Sequence, residues 1–240
     1  MKKKILLIIV AFFLAGFISF GVMLGLRIDN DSKKSQLFTT AMADYGKAVE
    51  KIGVDNVSEL DDLAKDIKCE GGYALVEKAV KEYTRDVIAP YYEAGAIQKD
   101  SIYTQGITGD FLQKNMPDFT TPYETISKMS AQLDKLQNVV DKKLTRDEAM
   151  KYLDDDLDEE YVELYENEVK AYYEDADLSQ KYTVYIQKFR LATEQYQKIL
   201  DFLVANKGKW HLKDDVIVFS TTSLTNQYNA LAAELNALNQ

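Results

Sequence analysis

The chain has 240 residues, of which 46% are apolar and 28% charged, with 29 Lys and Arg against 39 Asp and Glu. This composition predicts a folded chain with a core and excludes a disordered or fibrous one. The net charge of -10 argues against a nucleic-acid partner, and one His and one Cys exclude an internal disulfide or a zinc site built on such residues. We expect no metal and no other cofactor.

The amino-terminal segment has the pattern of a transmembrane signal anchor. The basic tail, residues 1–4, precedes an uncharged run over residues 5–26 that ends at Arg27. As a helix these 22 residues span about 33 Å, enough to cross a hydrocarbon core of about 30 Å. With Asp29 and Asp31 on the far side, the charges predict a single-pass protein of the bacterial inner (cytoplasmic) membrane. Residues 1–4 would then be cytoplasmic and the carboxy-terminal domain extracytoplasmic.

A cleaved secretory signal is the alternative interpretation of the same segment. Ser19-Phe20-Gly21 fits a small-x-small cleavage site, although the apolar run continues past it to Leu26. Cleavage would make the protein secreted, and both interpretations export the remainder. Gly21 and Gly25 also have the spacing at which two membrane helices pack closely, which leaves a homodimer open.

The exported part is predicted to form a stalk over residues 27–35 and one helical domain over residues 36–240. Residues 28–240 carry 25 positive and 39 negative side chains, a net charge of -14. Anionic lipid headgroups repel such a charge, so we expect the domain to stand away from the membrane surface.

Apolar residues of the exported part recur at alternating steps of three and four, the period of helices with one apolar face. Five such stripes predict an all-α fold, an antiparallel helical bundle. They are Leu37 or Phe38, Ala41, Tyr45, Ala48, Ile52; Tyr73, Val76, Val80, Tyr83, Val87; Ile126, Met129, Leu133, Leu136, Val140; Tyr182, Tyr185, Phe189, Ala192, Tyr196, Ile199, Leu203; and Leu224, Tyr228, Leu231, Leu235, Leu238.

The segments between the stripes predict caps, a loop and a hairpin. Thr145 and Thr121-Pro122 have the pattern of helix starts. Residues 101–121 contain two glycines and a proline without a sustained period, which predicts a long loop with one helical turn near residues 111–114. β-Branched and aromatic residues on both sides of Asp214-Asp215 predict a small β-hairpin before the last helix.

No residue pattern predicts an enzyme. His211 has no Ser or Cys motif around it, so we expect a structural or exposed side chain. For Cys69 we expect an inert thiol, with an intermolecular disulfide as the alternative. The acidic run lacks the glycine of a calcium loop and predicts a solvated helix start instead. The run consists of Asp154, Asp155, Asp156, Asp158, Glu159, Glu160 and Glu163.

Sixteen tyrosines supply both core and candidate binding residues. Those on the stripes are expected in the core with their hydroxyls at its edge. Adjacent tyrosines lie about 100° apart on a helix, so one of each pair should face solvent, where aromatic residues favour protein binding. The candidate protein-binding residues are Tyr91, Tyr92, Tyr172, Tyr173 and Trp210.

The carboxy-terminal part resembles an uncharacterised group of small bacterial envelope lipoproteins. The resemblance lies in residues 201–208, in Val216–Phe219 and in Gln227-Tyr228-Asn229-Ala230-Leu231, about 40 residues of the 240. It implies a helical envelope protein and no activity. The chain departs from the group because no cysteine follows the apolar run.

These observations predict a non-catalytic protein-interaction module of the bacterial cell envelope, anchored by residues 5–26 and bound to an envelope protein. An acidic inhibitor or immunity-type protein that neutralises a basic exported enzyme or toxin is the alternative, because negative charge steers encounter with basic partners. A small-molecule sensor is a third hypothesis, and it requires an apolar pocket between helices.

Overall fold

The protein is mostly helical and contains one small antiparallel hairpin within the residues described, as the sequence predicts. A computed structural model describes residues 32–53, 56–99 and 101–238. Among these residues, no helix combines the length and apolar character that crossing a bilayer requires. The predicted anchor, residues 5–26, lies outside the described part of the chain, as does the basic tail.

The helices and strands follow one another with short connections. In chain order they are α1 (Ser32–Lys51), α2 (Glu59–Lys65), α3 (Gly72–Gln98), α4 (Ile102–Gln105), α5 (Gly109–Asn115), α6 (Thr120–Asn138) with a π-helical continuation (Val139–Lys143), α7 (Arg146–Met150), α8 (Glu159–Glu174), α9 (Ala176–Ala205), β1 (Trp210–Lys213), β2 (Val216–Phe219) and α10 (Thr222–Leu238).

The chain groups into two compact units, each built from separate stretches of sequence. Of the described residues, unit 1 takes those in 32–93 and 139–179, and unit 2 takes those in 94–138 and 180–238. The single domain over residues 36–240 stays a prediction. Within the predicted stalk, α1 begins at Ser32 and Ser35 is buried, so residues 32–35 are part of a packed helix.

The core of unit 1 contains the first two predicted stripes. Every residue of the α3 stripe is buried, and in α1 Phe38 faces the core while Leu37 is 44% exposed. Phe38 packs against Tyr73, whose ring meets Tyr161 of α8 edge-on at 5.3 Å. Tyr165 of α8 is fully buried and donates a hydrogen bond to the carbonyl oxygen of Ala149. Periodicity therefore identified the correct faces of α1 and α3.

A π-helical turn follows α6 and shifts the apolar phase. The N–H of Leu144 donates to the carbonyl oxygen of Val139, five residues earlier, at 3.1 Å. As a result Val139 and Leu144 are buried, whereas Val140 is only half-buried. The predicted stripe placed Val140 in the core and was wrong at this position, because a constant helical period does not allow for one extra residue in a turn.

The core of unit 2 joins α9, α10, the hairpin and the short helices. Trp210, Leu212, Ile217 and Phe219 share the inner face of the hairpin and pack against this core. The ring of Phe219 lies 5.3 Å from that of Tyr228 in α10. The predicted hairpin is confirmed, including its contact with the neighbouring helices.

Residues 101–121 are not a long loop, and that prediction was wrong, but the helical turn predicted near residues 111–114 is confirmed as part of α5. Ser101 and Thr108 cap the short helices α4 and α5 by accepting hydrogen bonds from backbone N–H groups. The apolar side chains of the segment are buried in the core of unit 2: Ile102, Phe111, Leu112 and Phe119. Helices of four and seven residues are too short to establish a detectable period, so the glycines and proline dominated the pattern.

Gly109 is one of these glycines, and its contact with the hairpin turn requires a residue without a side chain. The hairpin turn has positive φ at both Asp214 and Asp215, the type I′ geometry that matches the twist of a two-residue hairpin. A Cβ on Gly109 would lie 2.6 Å from the Cβ of Asp215 and 2.7 Å from its Cα. The absence of a side chain at position 109 therefore lets α5 contact the turn.

Gly109→Ala is expected to lower the free energy of unfolding by about 1–3 kcal/mol, because the new methyl group meets backbone that cannot move without distorting the turn. Urea unfolding of the full chain measures the change. Gly46→Ala in α1 is the matched control, because a Cβ there meets nothing within 4 Å. It should be neutral or stabilising by up to about 1 kcal/mol. Equal stability changes in the two variants would contradict the packing argument.

Candidate functional site

The most distinctive surface of the described chain is the acidic run between α7 and α8. Its seven members are all exposed, and none of their side-chain carboxylates forms an ion pair or hydrogen bond with another described residue. No Lys or Arg occurs from Tyr152 to Val169. Asp158 is the N-cap of α8, and Glu159 and Glu160 lie in its first turn, where the helix dipole favours negative charge. Local helix chemistry therefore positions part of the run and leaves its charge facing solvent.

The negative charge of the chain is concentrated in one unit. Residues 32–93 and 139–179 carry 14 Lys and Arg against 27 Asp and Glu, a net charge of -13. Residues 94–138 and 180–240 carry 11 against 10, a net charge of +1. Sequence reasoning found the acidic run but not this division, because each unit combines stretches that are far apart in the sequence.

Four of the candidate protein-binding residues lie in unit 1 and are partly or wholly covered. Tyr91 is buried, and Tyr92 is half-buried with its hydroxyl donating to the carbonyl oxygen of Val49. Tyr172 and Tyr173 are half-buried. The hydroxyl of Tyr172 donates to Thr84, and that of Tyr173 donates to Glu166.

Trp210, the fifth candidate, lies in unit 2. It is half-buried, and its indole N–H donates to the carbonyl oxygen of Leu203 at 2.9 Å. Four of the five candidates therefore use their polar group in a hydrogen bond within the protein. Protein binding by the five residues stays a prediction. The stripe tyrosines Tyr45, Tyr83, Tyr185 and Tyr196 are confirmed as core residues.

Sequence reasoning missed a compact cluster of Asp86, Lys143 and Tyr152 in unit 1. Lys143 Nζ lies 2.6 Å from Asp86 Oδ2 and 2.6 Å from the hydroxyl of Tyr152, which donates to the same carboxylate oxygen at 2.5 Å. The other carboxylate oxygen accepts two hydrogen bonds from Arg85. Lys143 ends the π-helical turn, and 57 residues separate it from Asp86, so no local motif could reveal the cluster.

The electrostatics of this cluster favour a structural role. Burial opposes charge on Asp86, but hydrogen bonds from Lys143, Tyr152 and Arg85 outweigh it and lower the pKa of the carboxyl. Burial likewise opposes charge on Lys143, and the bond to Asp86 raises the pKa of its ammonium. Burial and Asp86 raise the pKa of Tyr152. A general acid or base works best with a pKa near the operating pH, and all three shifts lead away from neutrality.

A second polar cluster in unit 1 surrounds Cys69 and Glu77. Glu77 Oε1 lies 2.7 Å from Lys81 Nζ, and the two side chains are 0% and 4% exposed. Glu77 Oε2 accepts the backbone N–H groups of Lys68 and Cys69 at 2.9 and 2.8 Å. Burial raises the pKa of the Cys69 thiol to about 12, so the thiol stays protonated and unreactive at neutral pH.

His211, in unit 2, is exposed on β1, as expected.

Glu168 of α8 and Glu77 are the two buried acidic residues among those described. Glu168 is only 6% exposed, and none of the described residues forms a hydrogen bond or ion pair with its carboxyl group. Burial raises the pKa of Glu168 to about 7. This carboxyl therefore changes its charge near neutral pH.

Comparison with known proteins adds no family to this description. No protein-family model, curated protein or solved structure matches the chain. The resemblance to envelope lipoproteins stays a prediction.

Proposed function

We propose that the protein is a membrane-anchored, extracytoplasmic, non-catalytic protein-interaction module of the bacterial cell envelope. Residues 5–26 would be the anchor, and the exported helices would form an antiparallel bundle. The binding surface would be the acidic run of unit 1, and its partner a protein with a basic surface. The observation that carries this proposal is the exposure of seven unpaired carboxylates on a unit of net charge -13.

The physical basis is long-range attraction. Exposed carboxylates without internal partners keep their full charge available to another molecule, and concentrated charge of one sign accelerates encounter with the opposite sign. Because the run is solvated, pairing with it is screened by salt. The local cations that could compete for it are absent from the sequence between Tyr152 and Val169.

The test begins by identifying the partner in intact cells. A photo-crosslinking amino acid replaces Glu160 in the full-length protein, and the matched position is Glu234, an exposed glutamate of α10 in unit 2. We expect one defined protein adduct at position 160 and none at position 234. Adducts of the same protein at both positions would contradict the assignment to the acidic run.

Neutralising the acidic run is expected to weaken binding of that purified partner at least tenfold. The variant carries Asp154→Asn, Asp155→Asn and Asp156→Asn, and the control neutralises three exposed carboxylates of unit 2, Asp110, Glu124 and Glu234. Isothermal titration calorimetry measures the dissociation constant at about 50 and about 500 mM salt, between which screening should also weaken the wild-type complex. Binding unaffected by the variant and by salt would refute the proposal.

An acidic inhibitor or immunity-type protein is the narrower alternative. The density of the run favours it, since seven carboxylates occur within the ten residues 154–163 and a basic catalytic cleft is a natural counterpart. If the protein is such an inhibitor, adding it in purified form to the partner identified by crosslinking abolishes an enzymatic or toxic activity of that partner. A partner that keeps its activity in the saturated complex eliminates the inhibitor and retains the interaction module.

A further inference from the structure

The hairpin of unit 2 has one strand edge, that of the four-residue strand β2, which carries none of the charged residues, prolines or bulges that protect edges against pairing. Strand β1 contains Lys213 and follows Lys209, charged residues of the kind that keep an edge strand from joining another sheet. Strand β2, Val216–Phe219, consists of two valines, an isoleucine and a phenylalanine, with no charge, proline or bulge. An edge of this composition is a template for a further strand.

The hydrogen-bond register shows which groups of β2 face outward. Lys213 pairs with Val216 across the two-residue turn, and the N–H of Ser220 donates to the carbonyl oxygen of Lys209 at 2.8 Å. Because bonded and non-bonded pairs alternate in an antiparallel ladder, the backbone groups of Ile217 and Phe219 point away from β1. None of the described residues forms a hydrogen bond with these groups.

The outer face of the hairpin is apolar on β2 alone. Val216 is 60% exposed and Val218 is half-buried, whereas β1 presents His211 and Lys213 on the same face. Two valines beside an unpaired edge gain contacts when a neighbouring strand covers them, and β-branched side chains pack well across paired strands.

We propose that β2 pairs antiparallel with β2 of a second copy of the chain and forms a four-stranded sheet. Ile217 would lie opposite Phe219 of the partner subunit, and Val218 would lie opposite the partner subunit's Val218 on the twofold axis. In each of the two Ile217–Phe219 pairs, the N–H of one residue donates to the carbonyl oxygen of the other and the reverse, which gives four main-chain hydrogen bonds between the copies. The proposal does not depend on the acidic run.

Symmetry and charge favour a second copy as the occupant. A twofold interface uses the same patch on both subunits, and this register is self-complementary. It places Val216 opposite Ser220 and Asp215 opposite Thr221, so no like charges meet. The stretches that build unit 2 carry a net charge of only +1, whereas those of unit 1 carry -13 and would repel a second copy.

Analytical ultracentrifugation of the full-length protein tests the dimer. We expect a monomer–dimer equilibrium in the wild type and a dimer dissociation constant at least tenfold higher for Val218→Lys, because two ammonium groups then meet directly on the axis. His211→Lys is the control, since it adds the same charge to the same face on the other strand. A wild-type protein that stays monomeric up to about 100 μM refutes the proposal.

Cysteine crosslinking tests the register. Val218→Cys places two thiols opposite each other in a non-bonded pair, within the range of a disulfide, and should give a covalent dimer under mild oxidation. Val216→Cys is the matched variant, and its thiols should not crosslink because they lie four residues apart along the seam. The wild type controls for the buried Cys69. Crosslinking at position 216 in preference to 218, or an association unchanged by Val218→Lys, would show that the copies meet elsewhere or that β2 receives another occupant.

Discussion

Replacing Glu77 by Leu is expected to lower the free energy of unfolding by about 3–5 kcal/mol. The substitution leaves the Lys81 ammonium, 4% exposed, without its counter-ion, and removes the acceptor of the backbone N–H groups of Lys68 and Cys69. Lys81 would keep its contacts with the carbonyl oxygen of Asp66 at 2.5 Å and with the ring of Tyr45 at 5.3 Å. They cannot neutralise the charge. Denaturant unfolding of the full chain, followed by circular dichroism, measures the loss.

A double variant separates the ion pair from its surroundings. Glu77→Leu combined with Lys81→Met removes both charges of this buried pair, so it should be more stable than Glu77→Leu alone. Some loss remains, because two backbone N–H groups still lack an acceptor. Lys78→Met, an exposed position on the same helix, is the control and should change stability by less than about 0.5 kcal/mol. Additive effects of the two core substitutions would show that Glu77 and Lys81 act independently.

The pH dependence of this cluster has a defined sign. Burial opposes ionisation of Glu77, but the ammonium of Lys81 and the N–H groups of Cys69 and Lys68 outweigh it and lower the pKa of the carboxyl. A lowered pKa in the folded state contributes stability above the unfolded-state pKa, and this contribution is lost as the pH falls through the folded value. The wild type should therefore lose more stability in acid than the double variant.

The helices were predictable because their apolar residues face one side over several turns. The stripe of α3 from Tyr73 to Val87 is buried at every position, and Thr145 caps α7 as its sequence indicates. The stripe of α10 was less informative, since only Leu235 of its five members is buried. Periodicity identifies a face of a helix, but the depth at which that face is covered depends on neighbours that are remote in sequence.

The clusters could not be predicted for the same reason. Asp86, Lys143 and Tyr152 are ordinary residues in their local sequence, and only the packing of α3, the π-helical turn and the segment after α7 brings them together. For the paired tyrosines, local helix geometry was used and was not sufficient. Their exposure was inferred from helix geometry, which cannot foresee that the hydroxyls of Tyr92 and Tyr172 reach partners on other segments. The acidic run, by contrast, is local and exposed, so the sequence alone identified it.

Glu168→Gln is expected to stabilise the protein by about 3 kcal/mol at pH 8 and to have little effect at pH 4. Glu168 is 6% exposed, has no hydrogen-bond or ionic partner among the described residues, and burial raises its pKa from 4.5 to about 7. Above pH 7 the folded chain therefore holds a carboxylate that is largely removed from water and has no cationic partner among the described residues. The size follows from the difference between a pKa of 4.5 in the unfolded chain and about 7 in the folded one, since a tenfold change in an equilibrium is about 1.4 kcal/mol.

The sign of this effect is opposite to that at Glu77. Between pH 4.5 and 7 the folded state holds a proton at Glu168 that the unfolded state has released, so the free energy of unfolding falls as the pH rises. Glutamine has nearly the shape of the protonated acid and no charge, which removes this dependence. Urea unfolding at pH 4, 6 and 8 should give a difference between variant and wild type that grows with pH. Glu163→Gln, exposed on the same helix, is the control. A constant difference across the pH range would mean that Glu168 is solvated or paired in the folded protein.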